Sequence, residues 1–267
     1  MKKIIVLISG RLKYLSDENF LRIKKNFNPH HLDFFLTPWE DENTDLVNIF
    51  KNKYKPIAIK KISRSNFNNK IKLIKYPDYA GSLDGFFYNW EGVCKGLDEI
   101  DLFFREKHFS PDFILRYRSD ILPKKNSLFE ITKSNLDNKV IIPDRYHWNG
   151  LNDQIFLLNF NAIKNFKNFF KYVDNHIKYK NFFSGEFIFY KFLRKKKLKV
   201  IFNNFDYRIM REKKFKKNNL LSDFNSKIPL RDNCLIKFNK LMYKMRNFKE
   251  FYFLKSKRNK NQDIIID

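Results

Sequence analysis

The stretch from Asp112 to Asp120, D-F-I-L-R-Y-R-S-D, decides how the rest of this chain can be arranged. A β-strand turns successive side chains to opposite faces, so one face of this stretch is apolar and the other is charged. The apolar face carries Phe113, Leu115 and Tyr117, and the charged face carries Arg116, Arg118 and Asp120. Ligands of open α/β sheets bind at the carboxyl ends of the strands. The pattern therefore predicts a central strand with charged groups at its functional end.

Two interpretations of this charged row are open. A buried arginine needs a partner, because an unpaired buried charge costs several kcal/mol. The row is either an internal set of salt bridges that fixes the register of the strand, or a site for an anionic ligand such as a diphosphate. In the second interpretation, Asp120 binds a metal ion or a sugar hydroxyl.

The chain before this strand alternates between strand and helix patterns. The aliphatic run Ile4 to Ile8 is typical of a parallel strand that is buried on both faces. The elements predicted after it are a helix capped by Ser16 or Asp17, a strand over Leu32 to Leu36, a helix over Asp41 to Tyr54 and a strand over Pro56 to Ile62. This order predicts an α/β fold with a doubly wound, mostly parallel sheet.

The elements around and after the central strand continue this pattern. Ser63 to Tyr79 is polar and irregular, and Arg145 to Gln154 has the composition of a binding loop, with Asn152 or Asp153 able to cap a following element. The predicted helices are Leu83 to Phe104, Asn161 to Ile177 and a segment from Ser184 through Leu193, and the predicted strands are Val140 to Ile142 and Leu198 to Phe202.

Composition narrows the class of protein. Hydrophobic residues make up 43% of the 267-residue chain and aromatic residues 18%, which is ample for a core. The formal net charge is +25, with 54 Lys and Arg against 29 Asp and Glu, and this predicts attraction to an anionic partner. Cys94 and Cys234 form no ligand motif, which favours a reduced, cytosolic setting. The apolar run after Lys3 is too short for a signal peptide, and we expect neither secretion nor a membrane span.

The character of the sequence changes at Glu212. A charge run at 213–219 leads to Ile236 to Leu254, where apolar residues at helical spacing alternate with Lys and Arg. Such a basic amphipathic helix either docks on the main domain or lies on an anionic membrane surface. We therefore expect a main domain over 1–211 and a basic helical C-terminal extension over 212–267.

Six segments follow one another through most of residues 1–211. They are I-S-G-R-L-K at Ile8 to Lys13, D-F-F-L-T-P-W at Asp33 to Trp39, L-R-Y-R-S-D at Leu115 to Asp120, I-P-D-R-Y at Ile142 to Tyr146, G-L-N-D-Q at Gly150 to Gln154 and F-D-Y-R-I-M-R at Phe205 to Arg211. Together and in this order they resemble bacterial glycosyltransferase-like proteins of capsule and lipopolysaccharide loci. The resemblance implies a GT-A-like, Rossmann-like domain that binds a nucleotide-sugar donor and transfers its sugar to a lipid-linked or oligosaccharide acceptor.

The sequence departs from that group at two places. Many relatives carry an Arg three residues after the first Gly, where this chain has Lys13, and Arg11 is the nearer arginine. The D-x-D triplet that usually holds a divalent ion is missing, and Asp120 alone fills its place. The sequence therefore leaves open whether the protein binds a divalent cation, Mn²⁺ or Mg²⁺. Arg116, Arg118 and Lys13 could instead neutralise a leaving diphosphate through charge-assisted hydrogen bonds.

Each candidate site residue has a functional and a structural interpretation. The predicted donor-binding residues are Ser9, Gly10, Arg11, Lys13, Arg116, Arg118 and Asp120, although the loop from Ser9 to Lys13 could be an ordinary strand-to-helix turn. Asp153 is the first candidate for the catalytic base and could instead be a helix cap worth about 1 kcal/mol. Glu186 is the second candidate, at a helix start where the dipole already favours a carboxylate. The residues expected to contact the acceptor or a sugar are His147, Trp148 and Asn152.

Two other classes of protein compete with a cytosolic, membrane-peripheral glycosyltransferase. A nucleic-acid-binding protein would use the same positive charge for phosphates, but Lys is scattered and no recognition motif occurs in the sequence. A non-catalytic member of the same fold is the other alternative, because the D-x-D triplet is missing.

Overall fold

The computed structural model describes residues 1–12, 14–74, 83–108, 110–124, 129, 131, 137–144, 151–179 and 183–210. The strands are β1 (Lys3–Gly10), β2 (His31–Pro38), β3 (Ala58–Ile59), β4 (Phe113–Tyr117), β5 (Ile121–Pro123), β6 (Lys139–Pro143), β7 (Ile155–Asn159), β8 (Lys199–Asn203) and β9 (Tyr207–Ile209). The helices are α1 (Asp17–Asn26), α2 (Thr44–Tyr54), α3 (Asn68–Lys72), α4 (Leu83–Glu106), a 3-10 helix (Phe160–Asn168), α5 (Phe169–Lys178) and α6 (Gly185–Lys195).

Seven strands form one mixed sheet in the order β3-β2-β1-β4-β7-β6-β8, and β5 pairs with β9 in a small antiparallel ribbon. Every pair in the large sheet is parallel except the two that β7 makes with β4 and β6. The α/β class and the mostly parallel sheet are therefore confirmed. Because β7 runs the other way, its amino end lies at the same edge as the carboxyl ends of its neighbours, and Ile155 pairs with Tyr117.

The sheet is covered on both faces, as a doubly wound arrangement requires. Alternate residues of β1 belong to different cores, with Ile4 and Val6 on one side and Ile5 and Leu7 on the other. Helices α1 and α2 complete the first core, and α4, α5 and α6 complete the second. The predicted split of the central strand is confirmed, because Leu115 lies in the first core and Ile114 in the second.

Two local predictions were wrong. The segment predicted to be irregular between Ser63 and Tyr79 contains the short helix α3. The residues after Asp153 begin strand β7, so Asp153 does not cap a helix. The helix predicted over Asn161 to Ile177 is confirmed in extent, and its first half is a 3-10 helix that leads into α5. The run I-F-L-L at the start of β7 is short and apolar, and periodicity cannot separate such a run from a buried helical turn.

Helix α4 approaches β1 closely through its glycines. A Cβ atom at Gly96 would lie 2.8 Å from Cδ1 of Leu7 and 2.9 Å from Oγ1 of Thr37. Both neighbours are fully buried. The glycine therefore sets the distance between this helix and the centre of the sheet.

Replacing Gly96 with Ala is expected to lower the free energy of unfolding by about 1–3 kcal/mol, because the added methyl group overpacks this contact. The gain in helix propensity of up to about 1 kcal/mol offsets only part of that cost. Urea denaturation of the variant measures the difference. Leu102→Ala is the control, since Leu102 is an exposed residue of the same helix and its change should stay within about 0.5 kcal/mol. Equal stability of Gly96→Ala and the parent would contradict the close contact.

Among the described residues, no helix is both long enough and apolar enough to cross a membrane. The predicted C-terminal extension over 212–267, including its basic amphipathic helix, lies outside the described residues. Its proposed contact with an anionic membrane surface stays a prediction.

Candidate active site at the carboxyl edge of the sheet

The charged row ends in a turn between β4 and β5 that three parts of the chain hold in place. Asn19 of α1 is fully buried, and its side-chain amide donates to the carbonyl oxygens of Ser119 (3.3 Å) and Ile121 (2.9 Å). The hydroxyl of Ser119 donates to the carbonyl oxygen of Arg11 at 2.5 Å. The backbone N–H of Met210 donates to the carbonyl oxygen of Asp120 at 2.7 Å. The turn is therefore fixed before any ligand arrives.

Arg118 and Asp120 form a bidentate ion pair within this turn. Nε of Arg118 donates to one carboxylate oxygen of Asp120 at 2.6 Å, and its Nη2 donates to the other at 2.7 Å. Burial lowers the pKa of Arg118, but the hydrogen bonds and charge of Asp120 outweigh this effect and the net shift is upward. The side chain of Arg118 keeps 26% of its surface exposed. The pair therefore presents a fixed guanidinium group to solvent.

Arg116 lies behind this pair and is incompletely partnered. Arg116 is 1% exposed, and its Nη2 donates to Oδ1 of Asn89 in α4 at 2.8 Å. Within the part of the chain that the structure describes, its Nε and Nη1 have no hydrogen-bond partner, and both atoms are buried. Burial and the neighbouring charge of Arg118 lower the pKa of Arg116 to about 9, so the side chain is still charged at neutral pH. A buried cation whose N–H groups on Nε and Nη1 are all unused is costly for the fold.

Asp153 is buried beside the two arginines, in the segment that leads into β7. Burial raises the pKa of its carboxyl group, although Arg118 and Arg116 lower it by their charge. The indole N–H of Trp90 also lowers this pKa, without reaching the geometry of a full hydrogen bond. A Cβ atom at Gly185, the first residue of α6, would lie 3.8 Å from Oδ2 of Asp153. The two carboxylates and two guanidinium groups thus form one electrostatic unit, the arginine–carboxylate cluster (Arg116, Arg118, Asp120 and Asp153).

The loop after β1 is joined through its backbone to the turn after β4, because the carbonyl oxygen of Arg11 accepts from the Ser119 hydroxyl. Gly10 has a φ of +87°, a conformation that glycine adopts without strain, and a Cβ atom there would lie 3.3 Å from the indole nitrogen of Trp39. The side chain of Arg11 turns away to Asp41, with an Nη2 to Oδ2 distance of 3.0 Å. Ser9 is buried, and no described residue makes a hydrogen bond with its hydroxyl. Of these predicted donor-binding residues, Arg11 is the one with an exposed side chain.

The other predicted carboxylate and the predicted acceptor residue are held in separate networks. Glu186 is half-buried in the first turn of α6, where its carboxylate accepts from the Ser184 hydroxyl at 3.2 Å and its carbonyl oxygen accepts from Leu151 N–H at 3.0 Å. Asn152 is fully buried and donates to the hydroxyl of Tyr207 at 2.5 Å. That hydroxyl donates in turn to Oε1 of Gln154 at 3.0 Å. Asn152 therefore ties the segment before β7 to β9. Lys13, His147 and Trp148 lie outside the described residues.

This buried network predicts a structural effect of Tyr207→Phe. Removal of the hydroxyl leaves the Asn152 amide and the Gln154 side chain without this partner, so we expect a loss of about 1–3 kcal/mol in the free energy of unfolding. Thermal unfolding of the variant tests the effect, with Tyr179→Phe as the control because Tyr179 is 73% exposed. A variant as stable as the parent would show that the network contributes nothing to the fold.

The fit of a divalent cation can be judged from the donors present. Both oxygens of Asp120 already accept from Arg118, and Arg116 places a second positive charge behind it. Among the described residues, no three His, Cys, Asp or Glu side chains lie together so that they could hold a metal ion. Mg²⁺ and similar hard cations need several oxygen ligands, which this cluster does not offer together. The described residues therefore do not fit a resident divalent cation at Asp120.

Sequence reasoning missed several residues of this site. Asn19 and Asn89 each lie on a helix, and each reaches the β4 strand or its following turn across a long separation in sequence. A signal existed for Asn89, which is a lone amide within the aromatic run F-F-Y-N-W of α4. Trp90 follows it and lies next to the Asp153 carboxyl group. No local pattern marks Asn19 as different from any other polar residue in the first turn of α1.

Comparison with known proteins gives a likeness to solved structures only. No protein-family model matches the sequence, and no curated protein sequence matches it. The structure is similar to the glycosyltransferase GlyE of Streptococcus pneumoniae TIGR4, with 14% identity and a TM-score of 0.39 over 73% of this chain and 43% of that one. This chain thus spans less than half the length of GlyE.

Two further solved structures are similar to a comparable degree. The galactosyltransferase LgtC, solved with donor and acceptor sugar analogues, has 11% identity and a TM-score of 0.42 over 70% of this chain and 69% of LgtC. A nucleoside-diphosphate-sugar pyrophosphorylase from Vibrio cholerae RC9 has 9% identity and a TM-score of 0.40 over 74% of this chain and 90% of that one. The chain is therefore similar, at low identity, to enzymes that include glycosyltransferases, and a likeness of this degree does not assign an activity.

Proposed function

We propose that this protein is a glycosyltransferase that moves a sugar from a nucleotide-sugar donor to an oligosaccharide or lipid-linked acceptor of a surface polysaccharide. The observation that carries the proposal is the arginine–carboxylate cluster at the carboxyl edge of the sheet. It combines a partly exposed guanidinium group, a buried and incompletely partnered one, and a buried carboxyl group of raised pKa. Perturbed ionisable groups of this kind mark functional sites.

The cluster supplies two functions that glycosyl transfer needs. As the bond between the anomeric carbon and the diphosphate oxygen breaks, the electron pair stays with the diphosphate, and Arg118 is placed to stabilise this growing negative charge. In an inverting transfer, the acceptor hydroxyl attacks the anomeric carbon from the other side and gives its proton to a base. Asp153 is the proposed base, because burial raises its pKa and so makes its carboxylate a better proton acceptor than an exposed one.

The acceptor and the cellular site of action are inferred from charge. A net charge of +25 suits a protein that works at an anionic surface, and a lipid-linked acceptor on the inner leaflet would bring the enzyme to one. The basic C-terminal segment is the part of the chain we assign to that contact.

A screen of sugar nucleotides tests the proposal. Purified protein is incubated with UDP-, GDP-, CDP- and dTDP-sugars, with and without Mn²⁺, and the released nucleoside diphosphate is measured. We expect slow hydrolysis of one donor class by the parent and none by Arg118→Met. Lys124→Met is the matched control, because it removes a positive charge from a side chain that is 61% exposed and that pairs with Asp206.

Failure to bind or hydrolyse any sugar nucleotide would contradict the proposal. In that case binding of nucleic acid becomes the measurement to make, since salt-sensitive binding to phosphates would follow from the same positive charge. Binding of a donor without any turnover would identify the non-catalytic alternative.

A further inference from the structure

A departing diphosphate needs positive charge, and protein sites supply it either with a divalent cation or with Arg and Lys. At the turn where a divalent cation would be bound, this protein has an arginine instead. The turn after β4 reads R-S-D, and its one carboxylate, Asp120, is bound through both oxygens by Arg118. A cation at Asp120 would have to displace that guanidinium group and then lie close to it.

Arg116 adds a second and independent observation. Its buried guanidinium group donates one N–H group to Asn89, and Nε and Nη1 have no partner among the described residues. A structural arginine would be expected to have its N–H groups satisfied, because an unpaired buried donor costs free energy. The buried positive charge of Arg116 acts through its electric field on a ligand bound at Arg118. It would also repel a second cation bound there.

We propose that the positive charge for the leaving diphosphate comes from Arg118, supported by Arg116, without a resident divalent cation, and that Asp120 is a positioning residue for Arg118. This inference rests on the proposed function and specifies its chemistry. Arg118 contacts the diphosphate. Asp120 fixes the guanidinium plane so that no side-chain freedom is lost when the ligand binds. Arg116 strengthens the positive potential from inside the protein.

Binding of free nucleoside diphosphates tests the inference without relying on turnover. The parent protein is treated with EDTA, and the affinities for UDP, GDP, CDP and ADP are measured by calorimetry with EDTA or with added Mn²⁺. We expect at least one of them to bind, with an affinity that differs by less than about threefold between the two conditions. Binding that appears only with Mn²⁺ overturns this inference and leaves the proposed function standing. Absence of binding in both conditions overturns both.

A double-mutant cycle separates a positioning role of Asp120 from a metal-binding role. The variants are Arg118→Met, Asp120→Asn and the double variant, with Lys124→Met as the control for a lost surface charge. If Asp120 acts through Arg118, the double variant should lose no more diphosphate affinity than Arg118→Met alone, which we expect to be about 10- to 100-fold. Fully additive losses, or a loss in Asp120→Asn that Mn²⁺ restores, would overturn the positioning role.

Discussion

Asp153→Asn is expected to lower sugar transfer to an acceptor by about 10²- to 10⁴-fold while donor affinity changes less than about threefold, because the amide keeps the shape of the carboxylate but cannot accept a proton. Steady-state kinetics with the donor found in the screen, together with calorimetric donor binding, measure the two effects. The matched control is Glu186→Gln. Glu186 lies in the first turn of the same α6 helix whose first residue approaches Asp153. Full activity of Asp153→Asn, with a loss in Glu186→Gln, would move the role of base to Glu186.

The raised pKa of Asp153 also predicts how Asp153→Asn changes the stability of the protein. An acid whose pKa is higher in the folded than in the unfolded protein stabilises the fold below its ordinary pKa, and that contribution is lost as pH rises through the folded value. Above that range, the ionised carboxyl group costs stability, and Asn removes the cost. At neutral pH the variant should therefore unfold at the same temperature as the parent or a higher one. A clear loss of stability would show that Asp153 serves the fold.

The same shift predicts the acid limb of the pH–rate profile. A base must be ionised to act, so transfer by the parent should fall at a pH above the ordinary Asp value of about 3.9. Donor binding should move this limb further upward, because a bound diphosphate screens the two arginines that otherwise lower the pKa of Asp153. The kcat profile, which reports the donor complex, should thus lie at higher pH than the kcat/KM profile of the free enzyme.

Arg116→Met is the second substitution with a large expected effect. Donor turnover should fall by about 10²- to 10³-fold, the usual effect of removing one electrostatic group from a preorganised site. Thermal stability should stay equal or increase, because an apolar side chain of similar size replaces a buried charge whose Nε and Nη1 are unpartnered. The lost hydrogen bond to Asn89 limits the gain. A variant that is inactive and equally stable therefore identifies a functional arginine.

Two controls complete this experiment. Arg105→Met changes an exposed arginine on α4 and should alter neither turnover nor stability by much. Arg116→Lys keeps the positive charge and should retain more turnover than Arg116→Met, because the effect of Arg116 is electrostatic. If Arg116→Met unfolds the protein and Arg116→Lys restores only its stability, the charged row is an internal structural feature.

The structural interpretation of the charged row describes only part of it. Arg118 and Asp120 do form an internal ion pair, as the structural interpretation expects. Arg116 does not join it by a hydrogen bond and instead faces Asn89. The row is thus neither a network in which every charge is paired nor a set of unpaired, exposed arginines. One arginine is fixed and partly exposed, and the second is buried behind it.

The sequence by itself determined the layers of this fold and the faces of its central strand. Alternation along Asp112 to Asp120 and the aliphatic run from Ile4 to Ile8 are local patterns, and a strand turns its side chains the same way wherever it lies. The helix cap at Ser16 was likewise readable, and Asn19 N–H donates to its hydroxyl. These features depend on neighbours one to four residues away.

Only the tertiary structure decided which groups meet. Asn89 and Arg116, or Asn19 and the turn after β4, come together because helices pack across the sheet, and no local pattern encodes such a pairing. The reversed direction of β7 brings Asp153 to the edge where the parallel strands end, although the sequence after it indicated a helix. Burial then raises the pKa of Asp153 and lowers that of Arg116, since desolvation depends on the surrounding protein and not on the residue's own segment.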